Sequence, residues 1–417
     1  MKVMDRTNSH LAVFIFIIII VGSFAYALYA YNNAKGEIMI TSPLENIVVY
    51  MDGQMMGKTP IKITSIPLGF RAFRFEKEGF ESEELLIDFK PNSKFRREVY
   101  LSDLTLATSN IHTSSNRYVI PAQMQGEMVY SVDLEGRVDA IQLDRVKVWS
   151  YLLNELVLRP VIQTQEFLIV GTFQGSVYAF NRYSGKILWQ RKLGIDVTPL
   201  VIKDKNLWLL ANRSTIYRYT LEGELLKKEE FEEEILAESF VFLDNSPAFF
   251  TVDGTFWHQR GDQWYSLKLS INGGAKQGII TDDFLYLLSS RGVFYAFSHT
   301  GKEIYSIRNG FQKPINILLK DYLYISSGKK IYILEPESGS ILNSKEVSER
   351  IVLLDYCRNK LWVGGEQGFL YLFDETGKFI TARDMGSLVV GVTSIPGSSS
   401  MIITTENSLV YLERIND

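Results

Sequence analysis

The sequence predicts an all-β chain with a single N-terminal transmembrane helix, a small β-sandwich and an eight-bladed β-propeller. Three observations carry this expectation. An aliphatic run near the N-terminus has no charge to oppose its departure from water, residues 36–101 read as short strands punctuated by turns, and residues 104–417 repeat at a nearly constant interval.

At 417 residues, with 46% hydrophobic and 13% aromatic content, the chain exceeds the usual single-domain size and can bury a large core. The net charge of -4 arises from nearly balanced acids and bases. No global basic field exists to hold a polyanion, so nucleic acid is excluded as an expected partner. Cys357 is the one cysteine, so the chain can form neither an intrachain disulfide nor a cysteine-based metal cluster. It reads as a small buried side chain on a strand.

Residues 1–10 form a short leader with Lys2 and Arg6, and from Leu11 to Ala34 no residue is charged. Within that stretch VFIFIIIIV, Val13 to Val21, supplies about -3 to -5 kcal/mol of insertion energy. Residues 11–31 are long enough to cross a hydrocarbon core of roughly 30 Å as a helix, with Tyr26, Tyr29 and Tyr31 at the far interface. The competing reading is a cleaved signal peptide, because Ala25-Tyr26-Ala27 has the small-x-small form of a cleavage site. Both readings place residues 1–10 in the cytoplasm and export everything after Asn32. The expectation is therefore a single-pass protein of the inner membrane, tethered by this helix, with its remaining domains on the extracytoplasmic side.

Residues 36–101 contain EIMIT, NIVVYM, FRAFRF, ELLIDF and FRREVYL, with Asp52-Gly53 as a hairpin signal. The order of Ser42-Pro43, Asp52-Gly53, Gly57, Thr59-Pro60, Pro67, Gly69 and Gly79-Phe80 resembles the PEGA domain. That resemblance implies a compact, surface-exposed β module of prokaryotic envelope proteins. Lys90, Lys94, Arg96 and Arg97 near its end read as a solvated strand face.

The remaining residues align on one strand: VDAIQL at Asp139, VYAFNR at Tyr178, IYRYTL at Tyr217, FWHQRG at Trp257, FYAFSH at Tyr295, IYILEP at Tyr332, LYLFDE at Tyr371 and VYLERI at Tyr411. Successive spacings are 39, 39, 40, 38, 37, 39 and 40. Each unit adds strands before and after the aligned one, with Gly185, Gly223, Gly301, Gly339 and Gly377 at a common offset. Four strands per unit of this length, with an alternation of two, specify a propeller blade. The last unit stops too early to complete its outermost strand. LTLATSNI, residues 104–111, is expected to pair there and close the ring.

The second unit, GTFQGSVYAFNRYSGKILW, carries Ala179, Gly185 and Trp189 in the pattern of the tryptophan-docking repeat of pyrroloquinoline-quinone dehydrogenases. Trp149 takes the same docking position in the first unit, and Tyr305 approximates it in the fifth. The repeats thus resemble the quinoprotein-like propeller family, in which such tryptophans pack one blade onto the next. Quinone-dependent members are longer and hold the cofactor between a tryptophan and a vicinal disulfide, beside calcium. One cysteine cannot make that disulfide, and no acidic cluster matches the calcium ligands, so no cofactor is expected. His10, His112, His258 and His299 show no metal-ligand spacing and read as loop or rim residues.

The acidic stretch KKEEFEEEILAE places Glu229, Glu230, Glu232, Glu233 and Glu234 at an outer strand and its crossover. It reads as a solvated face protecting a sheet edge, with docking of a basic partner as the alternative. With no reactive constellation, the expected function is a non-catalytic, extracytoplasmic, membrane-anchored scaffold that binds other envelope proteins. Propellers of the same kind occur in the outer-membrane barrel-assembly machinery. The alternative is a propeller that binds or senses a small molecule or glycan in its channel, or a divergent quinoprotein-type enzyme.

Overall fold

The computed structural model describes residues 16–23, 35–308 and 315–413. It is all-β, in two compact units, residues 1–104 and 105–417.

The expected transmembrane helix is the first correction. Residues 16–23 are helical and exposed, which at 1.5 Å per residue gives about 12 Å, well short of a bilayer core. Among the described residues, no helix is long and apolar enough to cross a membrane. Residues 11–15 and 24–31, the rest of the expected span, lie outside the described residues, as does His10. Apolar composition sets the energy of leaving water, but crossing also requires about 20 residues of continuous helix to satisfy the backbone. The composition alone could not supply that second condition.

The first unit packs two sheets. A three-stranded sheet pairs Gly36–Thr41 with Ile61–Ile66 on one side and Lys94–Glu98 on the other. A four-stranded sheet runs in the order Gln54–Lys58, Val48–Met51, Gly69–Glu76, Glu83–Phe89. Alternation along Gly36–Thr41 buries Ile38 and Ile40, and Val49, Phe73, Phe75 and Phe89 meet them from the facing sheet. The Asp52-Gly53 turn has φ of 49° and 81°, as a tight hairpin needs. The Asp52 carboxylate fastens this turn by accepting from the Ala72 amide at 3.0 Å and from Arg71 at 3.1 Å. Lys94–Glu98 is exposed at every position, and Lys94 and Arg97 pair with Glu37 and Glu83. The basic run is thus a charged edge strand.

The second unit contains eight four-stranded antiparallel sheets among the described residues. Blades 1 to 7 are residues 123–152, 162–192, 198–230, 241–268, 275–307, 315–346 and 351–384, each with its strands in chain order. Blade 8, residues 389–412, takes its outer strand from Thr108–Thr113, which pairs antiparallel with Ser408–Leu412. This strand begins four residues beyond the start of the LTLATSNI segment. Leu106, ahead of it, packs instead into the apolar cluster of blades 7 and 8.

The first strand of each blade touches that of the next, and the first strand of blade 8 touches that of blade 1. In blade 4 a single 3-10 turn, Ala237–Ser239, supplies these contacts. Side chains staple the inner strands together. Gln163 donates to the Met124 carbonyl at 2.7 Å, Asn316 to Val352 at 3.2 Å, and Thr393 to Ala122 across the seam at 2.7 Å. Second strands are buried at nearly every position because a blade is covered on both faces, which is why Leu285–Ser289 reads as a continuous apolar run. Outer strands, such as Leu225–Glu230, are largely exposed.

Candidate functional site

Contacts between blades decide which residues remain available for function. Trp149 on the outer strand of blade 1 stacks on Phe180 of blade 2 at 5.9 Å and donates its indole N–H to the Arg182 carbonyl at 2.8 Å. Trp189 of blade 2 repeats the contact on blade 3, donating to the Leu221 carbonyl at 2.7 Å. Tyr305 of blade 5 does so through its hydroxyl, 2.6 Å from the Pro336 carbonyl.

Each ring lies on the turn glycine of the next blade. A Cβ on Gly185, Gly223 or Gly339 would meet Trp149, Trp189 or Tyr305 at 2.5, 2.7 and 2.4 Å, and each of these glycines has a positive φ. Ala179 is the cross-strand partner of Trp189 and fully buried. The structure thus brings Trp149, Ala179, Gly185 and Trp189 together as packing elements.

Blade 4 interrupts this series. Its third and outer strands meet in a regular ladder at Gly261-Asp262, whereas the corresponding pairs of the other seven blades carry a bulge. His258 stands where blades 1, 2 and 5 have Ala140, Ala179 and Ala296. Opposite it, Ala248 replaces the Tyr130, Tyr286 and Tyr324 of blades 1, 5 and 6. Tyr265, at the docking position, stacks on His258 at 5.8 Å and is 46% exposed, so it does not reach blade 5.

The result is a cleft of about 330 Å³ between blades 4 and 5, lined by Phe256, His258, Gln259, Arg260, Asp282 and His299 among others. His258 stacks on Phe256 at 5.5 Å, and both its ring nitrogens are buried without a hydrogen-bond partner. Burial first, then Arg260 and His299, pushes its pKa below the ordinary value, so the ring is neutral at pH 7. His299 meets the edge of Phe256 at 5.8 Å, and its Nε2 lies 2.8 Å from the Thr281 carbonyl. Among the described residues no group of three or more His, Cys, Asp or Glu is placed to hold a metal ion. The His258 imidazole and Phe256 together form an aromatic wall, with both imidazole nitrogens shielded from solvent.

His258 and His299 show no metal-ligand spacing in the sequence, yet they share this cleft. The signal that unites them is the repeat itself: each stands near the same third-to-outer turn of consecutive blades. His112 lies elsewhere, on the closing strand, with Nδ1 2.8 Å from the Tyr118 hydroxyl. Cys357 is half-buried, and burial raises its thiol pKa.

At the opposite ends of the blades, the acidic segment is largely tied down. Glu229 accepts from the Trp264 indole at 2.7 Å and pairs with Lys227 at 2.8 Å, Glu230 pairs with Lys228, and Glu234 lies 3.6 Å from Arg213. Glu232 and Glu233 are exposed. Arg213 and Arg159 converge on the buried Asp196, at 3.2 Å each, and Arg159 also reaches Glu238. Burial acts to raise the Asp196 pKa, but bonds and charge from Arg159 and Arg213 outweigh it and hold the carboxyl below the usual range. The half-buried Glu155 and the buried Glu349 serve the same purpose. Glu155 accepts from Thr172, Ser176 and Tyr178 of the next blade, and Glu349 from the Phe369 amide and Tyr371.

Residues 35–104 match the PEGA domain, and residues 96–224 match the family described as outer membrane protein assembly factor BamB. The chain joins a PEGA domain to a PQQ-like β-propeller. No match is found among curated proteins. Solved structures with the same propeller fold include BamB from Moraxella catarrhalis, at 15% identity and a TM-score of 0.60, covering 74% of this chain and 100% of that one. The computationally designed Ika8 protein is 15% identical with a TM-score of 0.63, covering 73% and 98%. Sqt1 from Saccharomyces cerevisiae is 11% identical with a TM-score of 0.61, covering 73% and 98%. Such low identities speak for the fold alone, and a designed protein among them underlines that the ring does not dictate a function.

Two outcomes follow from these contacts. Trp189→Ala should cost about 3–5 kcal/mol by removing a large interblade side chain, whereas Trp189→Phe should cost about 1 kcal/mol through the lost indole hydrogen bond; urea unfolding measures both. Asp196→Asn should cost about 2 kcal/mol at pH 7. Because the folded carboxyl titrates lower than the unfolded one, near 3.8, that difference should be complete above this pH and vanish as pH falls through the folded value. Unfolding curves of both proteins across the acid range check it.

Proposed function

We propose that this protein is a non-catalytic interaction scaffold of the bacterial cell envelope, acting on the extracytoplasmic side through the loop faces of its propeller. The observation that carries the reading is the match of residues 96–224 to the assembly-factor family, joined to a propeller of the same fold as BamB. The PEGA domain adds a second β module suited to spacing or contact. The deployment of the carboxylates supports the non-catalytic part: the half-buried Glu155 and the buried Glu349 and Asp196 are engaged in tying blades and loops together rather than converging on a common cavity. Glu232 and Glu233 form the exposed remnant of the acidic segment and offer a contact for a basic partner. The uncharged segment from Leu11 to Ala34, preceded by Lys2 and Arg6, supports export of the folded domains.

The test is cross-linking in intact cells followed by affinity purification from the envelope fraction. A partner protein should be recovered at a fixed stoichiometry, and Glu232→Lys with Glu233→Lys should lower its recovery several-fold while leaving the unfolding midpoint unchanged. Recovery of the chain alone under cross-linking, or from the cytoplasmic fraction, would overturn the proposal.

A further inference from the structure

In four blades the third-to-outer turn presents a carbonyl that accepts a side-chain hydrogen bond from the preceding blade. The Arg182 carbonyl takes Trp149 and Tyr130, Leu221 takes Trp189, Pro336 takes Tyr305 and Tyr286, and Glu375 takes Tyr324. The donors to these four carbonyls are aromatic, while elsewhere in the same turns Arg191 donates to the Gly223 carbonyl at 2.8 Å and Asn343, at the docking position of blade 6, to the Thr376 carbonyl at 2.9 Å. The turn of blade 5, Ser298 to Lys302, is built like that of blade 3, Thr220 to Glu224. In both, the first amide donates to the fifth carbonyl at 2.9 Å, and the glycine amide donates back to the first carbonyl, with φ of 81° at Gly301 and 87° at Gly223. His299 therefore stands where Leu221 stands, yet among the described residues no side-chain donor reaches its carbonyl.

The reason lies in blade 4. Ala248 is too short to replace the tyrosines of blades 1, 5 and 6, Tyr265 turns away, and Leu267 covers only Gly301, at 3.2 Å from the position of an added Cβ. The cleft of about 330 Å³ lies at this junction, with Phe256, His258 and His299 as aromatic walls and the unpaired His258 ring within it. A site shaped for an aromatic donor, and lacking one in the chain, invites one from outside.

We propose that the cleft between blades 4 and 5 binds a tryptophan or tyrosine side chain of a partner protein, whose N–H or O–H donates to the His299 carbonyl and completes the docking series in trans. The ring stacks against Phe256 and His258. Arg260 and Asp282, both exposed and both lining the cleft, orient the incoming strand or loop. This inference rests on the scaffold reading and names how a partner is held.

The test uses the full chain with isotope-labelled histidine side chains, observed by NMR, and three blocked tripeptides: Gly-Trp-Gly, Gly-Leu-Gly and Gly-Trp-Gly methylated on the indole nitrogen. The tryptophan peptide should shift the His258 and His299 resonances in a saturable manner and leave His112 unmoved. The methylated peptide should bind about five-fold more weakly, because it lacks the donor, and the leucine peptide should produce no shift. Ser246→Trp, which fills the cleft from another of its lining residues, and Ala248→Tyr, which restores the tyrosine of other blades, should each abolish the shifts. The His112 resonances report that a variant is folded, and Ser246→Trp keeps the test available if Ala248→Tyr fails to fold.

Equal binding of the leucine peptide overturns the proposal. So does tighter binding of free tryptophan than of the blocked peptide, which would make the occupant a small molecule. Undiminished recovery of an envelope partner by Ser246→Trp would overturn it while leaving the scaffold reading standing. Peptide binding without any recovered partner would do the reverse.

Discussion

A four-stranded blade has two apolar faces and cannot hide either one by itself. Everything else in the larger unit depends on that constraint. Fully buried runs such as Leu168 to Val170 and Leu207 to Leu209 are tolerable only when a neighbour covers each side, so the blades must form a ring, and the ring must have no loose end. The seam is where this is most exposed to failure. Thr108–Thr113 supplies the strand that the last repeat lacks, and Thr393 and Thr404 hold Ala122 on the other side of the junction. Closure thus comes from the segment that joins the two units in sequence.

The same constraint explains the docking series and its interruption. Wedge-shaped gaps open between blades toward the rim, and an aromatic ring on a glycine turn fills such a gap while its polar edge satisfies a carbonyl that would otherwise be buried alone. Trp149 and Trp189 do both. Blade 4 gives up the arrangement at three positions at once, Ala248, His258 and the shortened Gly261-Asp262 turn, and the gap persists as a cleft. A single lost tryptophan would read as drift. Three correlated departures that leave a polar, aromatic-walled opening point toward binding.

Much of this was legible in the chain. The period held because each blade reuses the same turn, and Gly185, Gly223, Gly301 and Gly339 must be glycine where a ring or side chain of the previous blade approaches so closely. PEGA-like turn residues are legible for the same reason, since Asp52-Gly53 needs left-handed backbone. The membrane-spanning helix was misjudged because a sum of transfer energies does not say how many residues join one continuous helix. The meeting of His258 with His299, and of Asp196 with Arg159 and Arg213, was invisible when residues were weighed singly. Those partners lie between 17 and 41 positions apart, and only superposing consecutive repeats places them side by side. The acidic stretch reads from sequence as a solvated face with partner docking as the alternative, and Trp264, Lys227, Lys228 and Arg213 engage three of its five carboxylates.

The claim on which the rest stands is that Thr108–Thr113 closes the ring against blade 8. Asn110 and Val410 are direct antiparallel partners in that pairing, within reach of a disulfide. The most direct measurement is oxidation of the Asn110→Cys, Val410→Cys pair in a Cys357→Ser background, followed by thermal unfolding. The account predicts near-complete intramolecular cross-linking, an unchanged strand content, and a higher unfolding midpoint in the oxidised form than in the reduced one. Failure to cross-link within one chain, or cross-linking only between chains, would contradict it.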